Sequence, residues 1–366
     1  MIPIEYDDSK LEEYNRFIDT FLGELDTYLK KGYIGNRKTC KVSEARTVYN
    51  TLTNSQKIIF DKAIKDKEWQ SKGKDENILA PLLTMREISI DFLKKVKNEL
   101  KEWINFRPNE IKKLLEDITH SYTDFSDKTS NLYLVTYKIF VDNGFDKKDK
   151  NKFPKDRLIE AIGSDICPYC NRIFIKNVDA DDGMQVKGHL DHFYDKAQYP
   201  YLAILKYNLI PSCPFCNGPT GKHTKDAERE GLISPFMLKD ANAMKFITDI
   251  SGEGFANMDE CAHAISLKCT YTEPKMENNV KIFHLKELYM SHTDYAAEMY
   301  FKHRMVCSEA YRKFAEKMLN SDSVTVEDDL NRLIYGFTNK PEDFGKKPLS
   351  KFCKDLLEDF EKIGKK

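Results

Sequence analysis

Residues 190–217 read LDHFYDKAQYPYLAILKYNLIPSCPFCN. The stretch closes on a CxxC pair, Cys213 with Cys216, and a matching pair, Cys167 with Cys170, precedes it. A cysteine pair on a tight turn presents two thiolates to one ion, and two such turns complete a four-cysteine tetrahedron. That set leaves no coordination position open, so the spacing predicts a structural Zn2+. Between the pairs stand Asp191, His192 and Asn208, and Asn217 follows the last cysteine. A histidine beside a carboxylate, held still, is a group that activates water on a phosphodiester.

Outward from this centre, composition sets bounds. A chain of 366 residues has room for two or three domains. Lys and Arg number 58 against 59 Asp and Glu, a net charge of −1, which excludes a protein that coats nucleic acid through its overall field. The N-terminus lacks a positive region followed by an apolar core, and no apolar run approaches the ~20 residues of a spanning helix. The reading is a cytoplasmic protein without membrane association. The remaining cysteines, Cys40, Cys261, Cys269, Cys307 and Cys353, share no spacing and read as buried thiols.

The chain before the centre is periodic. Leu11, Tyr14, Phe17, Ile18, Phe21, Leu25 and Tyr28 recur three or four apart, a helix over about residues 10–30. Tyr49, Leu52, Ile58, Ile59 and Phe60 suggest a second helix. A third runs from Arg86 through Trp103 until Pro108 ends it, and Ile111, Leu114, Leu115 and Ile118 resume the period. The aromatic stripe of these helices belongs in a core by its spacing. Asp146–Asp156, rich in lysine and aspartate, reads as a solvated connection. After Cys170 the pattern suggests a hairpin, with Arg172–Ile175 as one strand, a turn at Asp179–Gly183 and extended chain from Met184 to Phe193. Beyond Leu232, residues 282–306 suggest one long helix packing on the centre.

Taken together, Leu190-Asp191-His192-Phe193, Asn208-Leu209 and Cys213-Pro214-Phe215-Cys216-Asn217 followed by Lys222 resemble an HNH endonuclease of the ββα-metal class in its zinc-stabilised form, over about residues 160–235. More narrowly, residues 191–217, the Leu-Ile-Ser-Pro-Phe of residues 232–236 and Leu288-Tyr289-x-x-His292 are similar to the HNH component of Septu-type antiphage systems. The N-terminal helical region has no such match. The resemblance implies that Asp191 binds a catalytic Mg2+ or Mn2+, that Asn217 completes that site, and that Asn208 fixes the loop orienting the base. It also implies an ATPase partner. His192 is the expected general base, since a histidine with an ordinary pKa near ~6.5 takes a proton close to neutrality.

One departure from the family pattern matters. Gly218 and Pro219 stand where a metal-binding helix should begin, and proline is tolerated only in a first turn. His223 is therefore an alternative ligand to Asn217. Lys222 is a candidate contact to the nucleic-acid backbone or a solvated charge. His189, two residues before Asp191, would share its strand face and either reach nucleic acid or pack within the hairpin.

The expected fold is mainly α with a small central ββα-metal (HNH) nuclease core, α+β overall. Residues 1–145 form a helical bundle, 146–156 a charged linker, 157–240 the zinc-stabilised nuclease domain, and 241–366 a mostly helical region packing on that core or on a partner. The expected function is metal-dependent hydrolysis of nucleic acid in antiphage defence. DNA is the first choice of substrate and structured RNA such as tRNA the second. The competing reading is a catalytically inactive zinc-ribbon protein that binds nucleic acid or serves as a scaffold.

Overall fold

The computed structural model describes residues 1–34, 83–148, 152–176, 188–252, 257–306, 331–338 and 340–363, together with short pieces between them. The described chain is mainly helical with small sheets of two or three strands, an α+β arrangement. It forms two compact units. One comprises Met1–Lys10, Lys155–Phe193 and Ile210–Lys366, and the other Leu11–Pro154 and Tyr194–Leu209.

In the second, helical unit, Glu12–Lys31 buries Tyr14, Phe17, Ile18, Phe21 and Leu25. Its acidic first turn and basic last turn suit the helix dipole. Gly32 ends it at φ 72°, donating its N–H to the Tyr28 carbonyl. Glu87–Trp103 buries Phe92, Leu93, Val96, Leu100 and Trp103. Pro108 opens the next helix, Pro108–Ser121, where the Glu110 carboxylate accepts the Arg107 N–H at 2.8 Å. The aromatic stripe is core: Phe92 packs edge-on against Tyr122, Phe125 and Tyr201. The proposed helix around Tyr49–Phe60 lies outside the described residues.

Residues 194–209 belong to this unit although they come from within the cysteine-flanked stretch. Distant hydroxyls secure them. Tyr14 donates to the Ile204 carbonyl and Tyr133 to the Ala197 carbonyl, both at 2.9 Å.

In the cysteine-bearing unit, helix Lys155–Ile162 leads into the first CxxC turn. The expected strand at Arg172–Ile175 contributes only one bridge, Ile166 to Phe174, while Val178–Asp179 pairs antiparallel with Gln185–Val186. Strand His189–His192 pairs with Leu209–Ser212. A second antiparallel ladder, Met244–Ile250 with Ile265–Tyr271, is covered by helix Ser350–Ile363. Asp355 and Asp359 on that helix accept the N–H groups of Phe246 and Thr248. Cys261 and Cys353 are buried and Cys269 half-buried; the side chains of Cys40 and Cys307 lie outside the described residues.

The single long helix expected over residues 282–306 is instead three: Met276–Ile282, Leu285–Met290 and Thr293–Val306. His284 sits at φ 49°, a left-handed conformation that cannot continue a helix. The redirected Tyr289 donates its hydroxyl to the Cys170 carbonyl at 2.6 Å.

Candidate functional site

The four cysteines Cys167, Cys170, Cys213 and Cys216 are buried, and their sulfurs lie within 4.8 Å of one another. Among the described residues they are the one group of three or more His, Cys, Asp or Glu side chains placed to hold an ion. Tetrahedral metal–sulfur bonds of about 2.3 Å put sulfurs roughly 3.8 Å apart; Cys170 Sγ and Cys213 Sγ are 3.9 Å apart. The Cys216 N–H points at Cys213 Sγ. Burial pushes the Cys167 thiol up, whereas the hydrogen bond from Cys167 pulls Cys170 down. Four sulfurs this close cannot all be thiolates without a cation, and four thiolates are the set that structural zinc takes.

Both CxxC turns reach the Asp191-His192 dipeptide. Tyr169, between Cys167 and Cys170, is fully buried, and its hydroxyl donates to Asp191 Oδ2 at 2.7 Å. Burial, followed by the neighbouring Asp191 charge, pushes that phenol well above the usual tyrosine range, so it stays a donor. Its ring stacks on Phe283 at 4.2 Å. From the loop that follows the other turn comes Lys222, 0% exposed, donating to Asp191 Oδ1 at 3.0 Å and to the His192 carbonyl at 2.6 Å. Asp191 is itself only 2% exposed.

Glycines make the lysine's path possible. Helix Pro214–Asn217 ends after four residues and packs on strand His189–His192. No longer helix follows: the chain turns through Gly218-Pro219-Thr220-Gly221, and the Lys222 N–H bonds the Cys216 carbonyl at 2.9 Å. A Cβ on Gly221 would lie 2.3 Å from the Cys216 carbonyl oxygen, and one on Gly218 would lie 2.5 Å from that of Pro214. The loop therefore hugs the metal-binding turn closely enough to deliver Lys222 to Asp191.

The other expected site residues fall as follows. His192 is buried beside Asp191, at 8% exposure. Asn217 ends the short helix, half-buried. His223 is exposed, at φ 45°, with Nδ1 3.2 Å from Thr224 Oγ1. His189 is exposed at the start of its strand. Asn208 is fully buried in the helical unit. Its Oδ1 accepts the Tyr194 N–H at 2.7 Å, and its Nδ2 donates to the carbonyls of Tyr194 and Leu202 at 3.1 and 3.0 Å. The amide thus staples both ends of the loop that leaves Phe193.

Lys222 is not a solvated charge, one of its two expected readings: its ammonium is enclosed and donates to Asp191 and to the His192 carbonyl. The residue that sequence reasoning missed is Tyr169. The two turns share the pattern Cys-Pro-aromatic-Cys, yet Tyr169 points inward while Phe215, its counterpart, is 62% exposed.

Comparison with known proteins gives two partial similarities. The chain is 30% identical to protein ea31 of Escherichia phage lambda over 129 residues, 34% of this chain and 38% of the phage protein. It is 39% identical to Septu protein PtuB of Bacillus thuringiensis over 56 residues, 15% of this chain and 21% of that protein. Each match spans well under half of the relative's own length. No family model and no solved structure matches the chain.

Proposed function

We propose that the cysteine-bearing unit is an HNH-type endonuclease hydrolysing nucleic-acid phosphodiester bonds, with DNA ahead of structured RNA as substrate. It acts as the effector of a prokaryotic antiphage defence system and works with an ATPase partner. The observation that carries this reading is the Asp191-His192 dipeptide gripped by Tyr169, inside the first CxxC turn, and by Lys222, on the loop that follows the second. A closed structural metal site has no need of such a grip on a carboxylate and on the main chain of the histidine beside it unless their placement matters. The partial similarity to a Septu protein supports the defence setting.

The residues fit a catalytic divalent ion. Asp191 offers about four acceptor positions, of which Tyr169 and Lys222 take two, and the half-buried Asn217 can add an amide oxygen. One carboxylate with few further protein ligands is the set Mg2+ accepts, since it keeps waters and substrate oxygens for the rest. When bound, the ion would neutralise the phosphate and stabilise the leaving alkoxide. His192 takes the proton of the attacking water on a ring nitrogen. Lys222 fixes the His192 main chain through its carbonyl, and Asn208 fixes the loop that begins two residues later. The exposed Phe215 ring, two residues before Asn217, offers an unstacked base a surface.

A second reading, an inactive nucleic-acid-binding scaffold, draws on the enclosure of Asp191 and His192. Incubating the purified chain with plasmid and with total RNA, in Mg2+ or Mn2+, separates the two. The nuclease reading expects cleavage that His192→Ala abolishes while zinc content stays unchanged. No cleavage by the wild-type chain, alone or with its native partner, establishes the scaffold.

A further inference from the structure

Lys222 is buried completely, and its ammonium donates to both members of the Asp191-His192 dipeptide, to Asp191 Oδ1 and to the His192 carbonyl. An ammonium taken wholly out of water is retained only with a charged partner and good hydrogen bonds, and Asp191 supplies that charge. The carboxylate read above as the ligand of the divalent ion is therefore neutralised by a resident cation before any metal arrives. Its second oxygen is engaged by a neutral donor, the Tyr169 hydroxyl, which orients the group without altering its charge.

From this arrangement we infer that Lys222 is a positioning residue with an electrostatic role. It holds the Asp191-His192 dipeptide in place and, as a fixed positive charge on the ligating carboxylate, keeps the divalent ion weakly bound until a substrate phosphate brings compensating negative charge. The inference rests on the nuclease reading and specifies how its metal is regulated. The build of the loop supports it. Gly221 and the Lys222-to-Cys216 main-chain bond deliver the lysine from the second CxxC turn, so metal occupancy at the four cysteines and the charge at Asp191 are mechanically joined.

Two effects of opposite sign follow. A divalent ion that shares one carboxylate with a unit positive charge loses at least roughly tenfold in affinity, even at the dielectric constant of water. Removing the charge should tighten the metal, while removing the tether should slow turnover. A lysine that only supports the fold would give weaker metal binding together with slower turnover.

The test uses the full zinc-loaded chain and Mn2+ alone, with free Mn2+ read by electron paramagnetic resonance in titrations of wild type, Lys222→Met, Lys222→Gln and Lys222→Arg. Lys222→Met and Lys222→Gln should bind Mn2+ at least about tenfold more tightly and cleave at least tenfold more slowly. Lys222→Arg, which retains the charge, should bind Mn2+ as wild type does. Adding uncleavable substrate should tighten Mn2+ binding to wild type far more than to Lys222→Met. Unchanged or weaker Mn2+ binding in zinc-loaded Lys222→Met and Lys222→Gln overturns the proposal, as does failure of both to fold. Loss of the nuclease reading itself looks different: wild type then neither binds Mn2+ outside the cysteine site nor cleaves.

Discussion

The hydroxyl of Tyr169 is the smallest part of the site whose removal should be felt. Tyr169→Phe deletes one oxygen and keeps the ring stacked on Phe283. What disappears is a 2.7 Å hydrogen bond to an ionised carboxylate that is 2% exposed, leaving Asp191 Oδ2 without that donor. Hydrogen bonds to charged groups contribute about 1.5–3 kcal/mol, and a buried acceptor deprived of its partner sits at the upper part of that range. At about 2.5 kcal/mol, and with roughly 2–4 °C per kcal/mol for a unit of this size, the unfolding temperature should fall by about 5–10 °C. Circular dichroism is the suitable probe, because the buried Trp103 lies in the helical unit and its fluorescence would not follow the cysteine-bearing unit. Zinc content should not change, since all four cysteines remain. Turnover and Mn2+ affinity should both fall by about 10–100-fold, the usual effect of removing an outer hydrogen-bond partner of a metal ligand. The charge at Asp191 is untouched, so this variant should weaken the metal where Lys222→Met tightens it. Tyr169→Phe with wild-type melting, Mn2+ affinity and cleavage would show that the first CxxC turn does not hold Asp191, and the reasoning would fail.

Cys167→Ser or Cys213→Ser should lose the bound metal and unfold the cysteine-bearing unit, because structural zinc contributes about 10–16 kcal/mol in small sites; metal analysis finding folded protein without zinc refutes this. Asn217→Ala should raise the Mg2+ or Mn2+ concentration at half-maximal rate several-fold, while His223→Ala, at an exposed ring, should leave it within about twofold; the reverse result makes His223 the ligand. With a net charge of −1, the isolated chain should bind duplex DNA weakly at physiological salt and gain efficiency only with a partner that supplies basic surface. Tight, steeply salt-dependent binding by the chain alone, measured by fluorescence anisotropy, contradicts that partner requirement.

The cysteine cluster was legible because its information is local: spacing sets each turn, and thiolate chemistry selects the ion. The helices at 12–31, 87–103 and 108–121 were legible for a related reason, since apolar spacing and a proline mark them within the segment itself. Tyr169 was not. It shares the Cys-Pro-aromatic-Cys pattern with Phe215, and only tertiary neighbours, Phe283 on its ring and Asp191 on its hydroxyl, turn one aromatic inward while the other stays in solvent. Lys222 hid for the same reason. Lysine is almost always exposed, and its burial depends on a close approach by Gly221 that the sequence marks only as a glycine. The break at His284 was equally unreadable, because a non-glycine residue at positive φ is uncommon and leaves no compositional trace.

These illegible residues share one property that bears on how the site works. Each converts the rigidity of the metal-binding turns into the placement of a group outside the metal's own ligands. Tyr169 and Lys222 approach Asp191 from opposite turns and take one carboxylate oxygen each, so the group cannot rotate without breaking a buried hydrogen bond. Tyr289, beyond the turn at His284, holds the Cys170 carbonyl at 2.6 Å and braces the first turn from behind. The four-cysteine site lacks an open position for chemistry, yet through these bonds its geometry is transmitted to the dipeptide that the proposed reaction needs. Zinc removal should therefore abolish activity before the helical unit loses any of its structure.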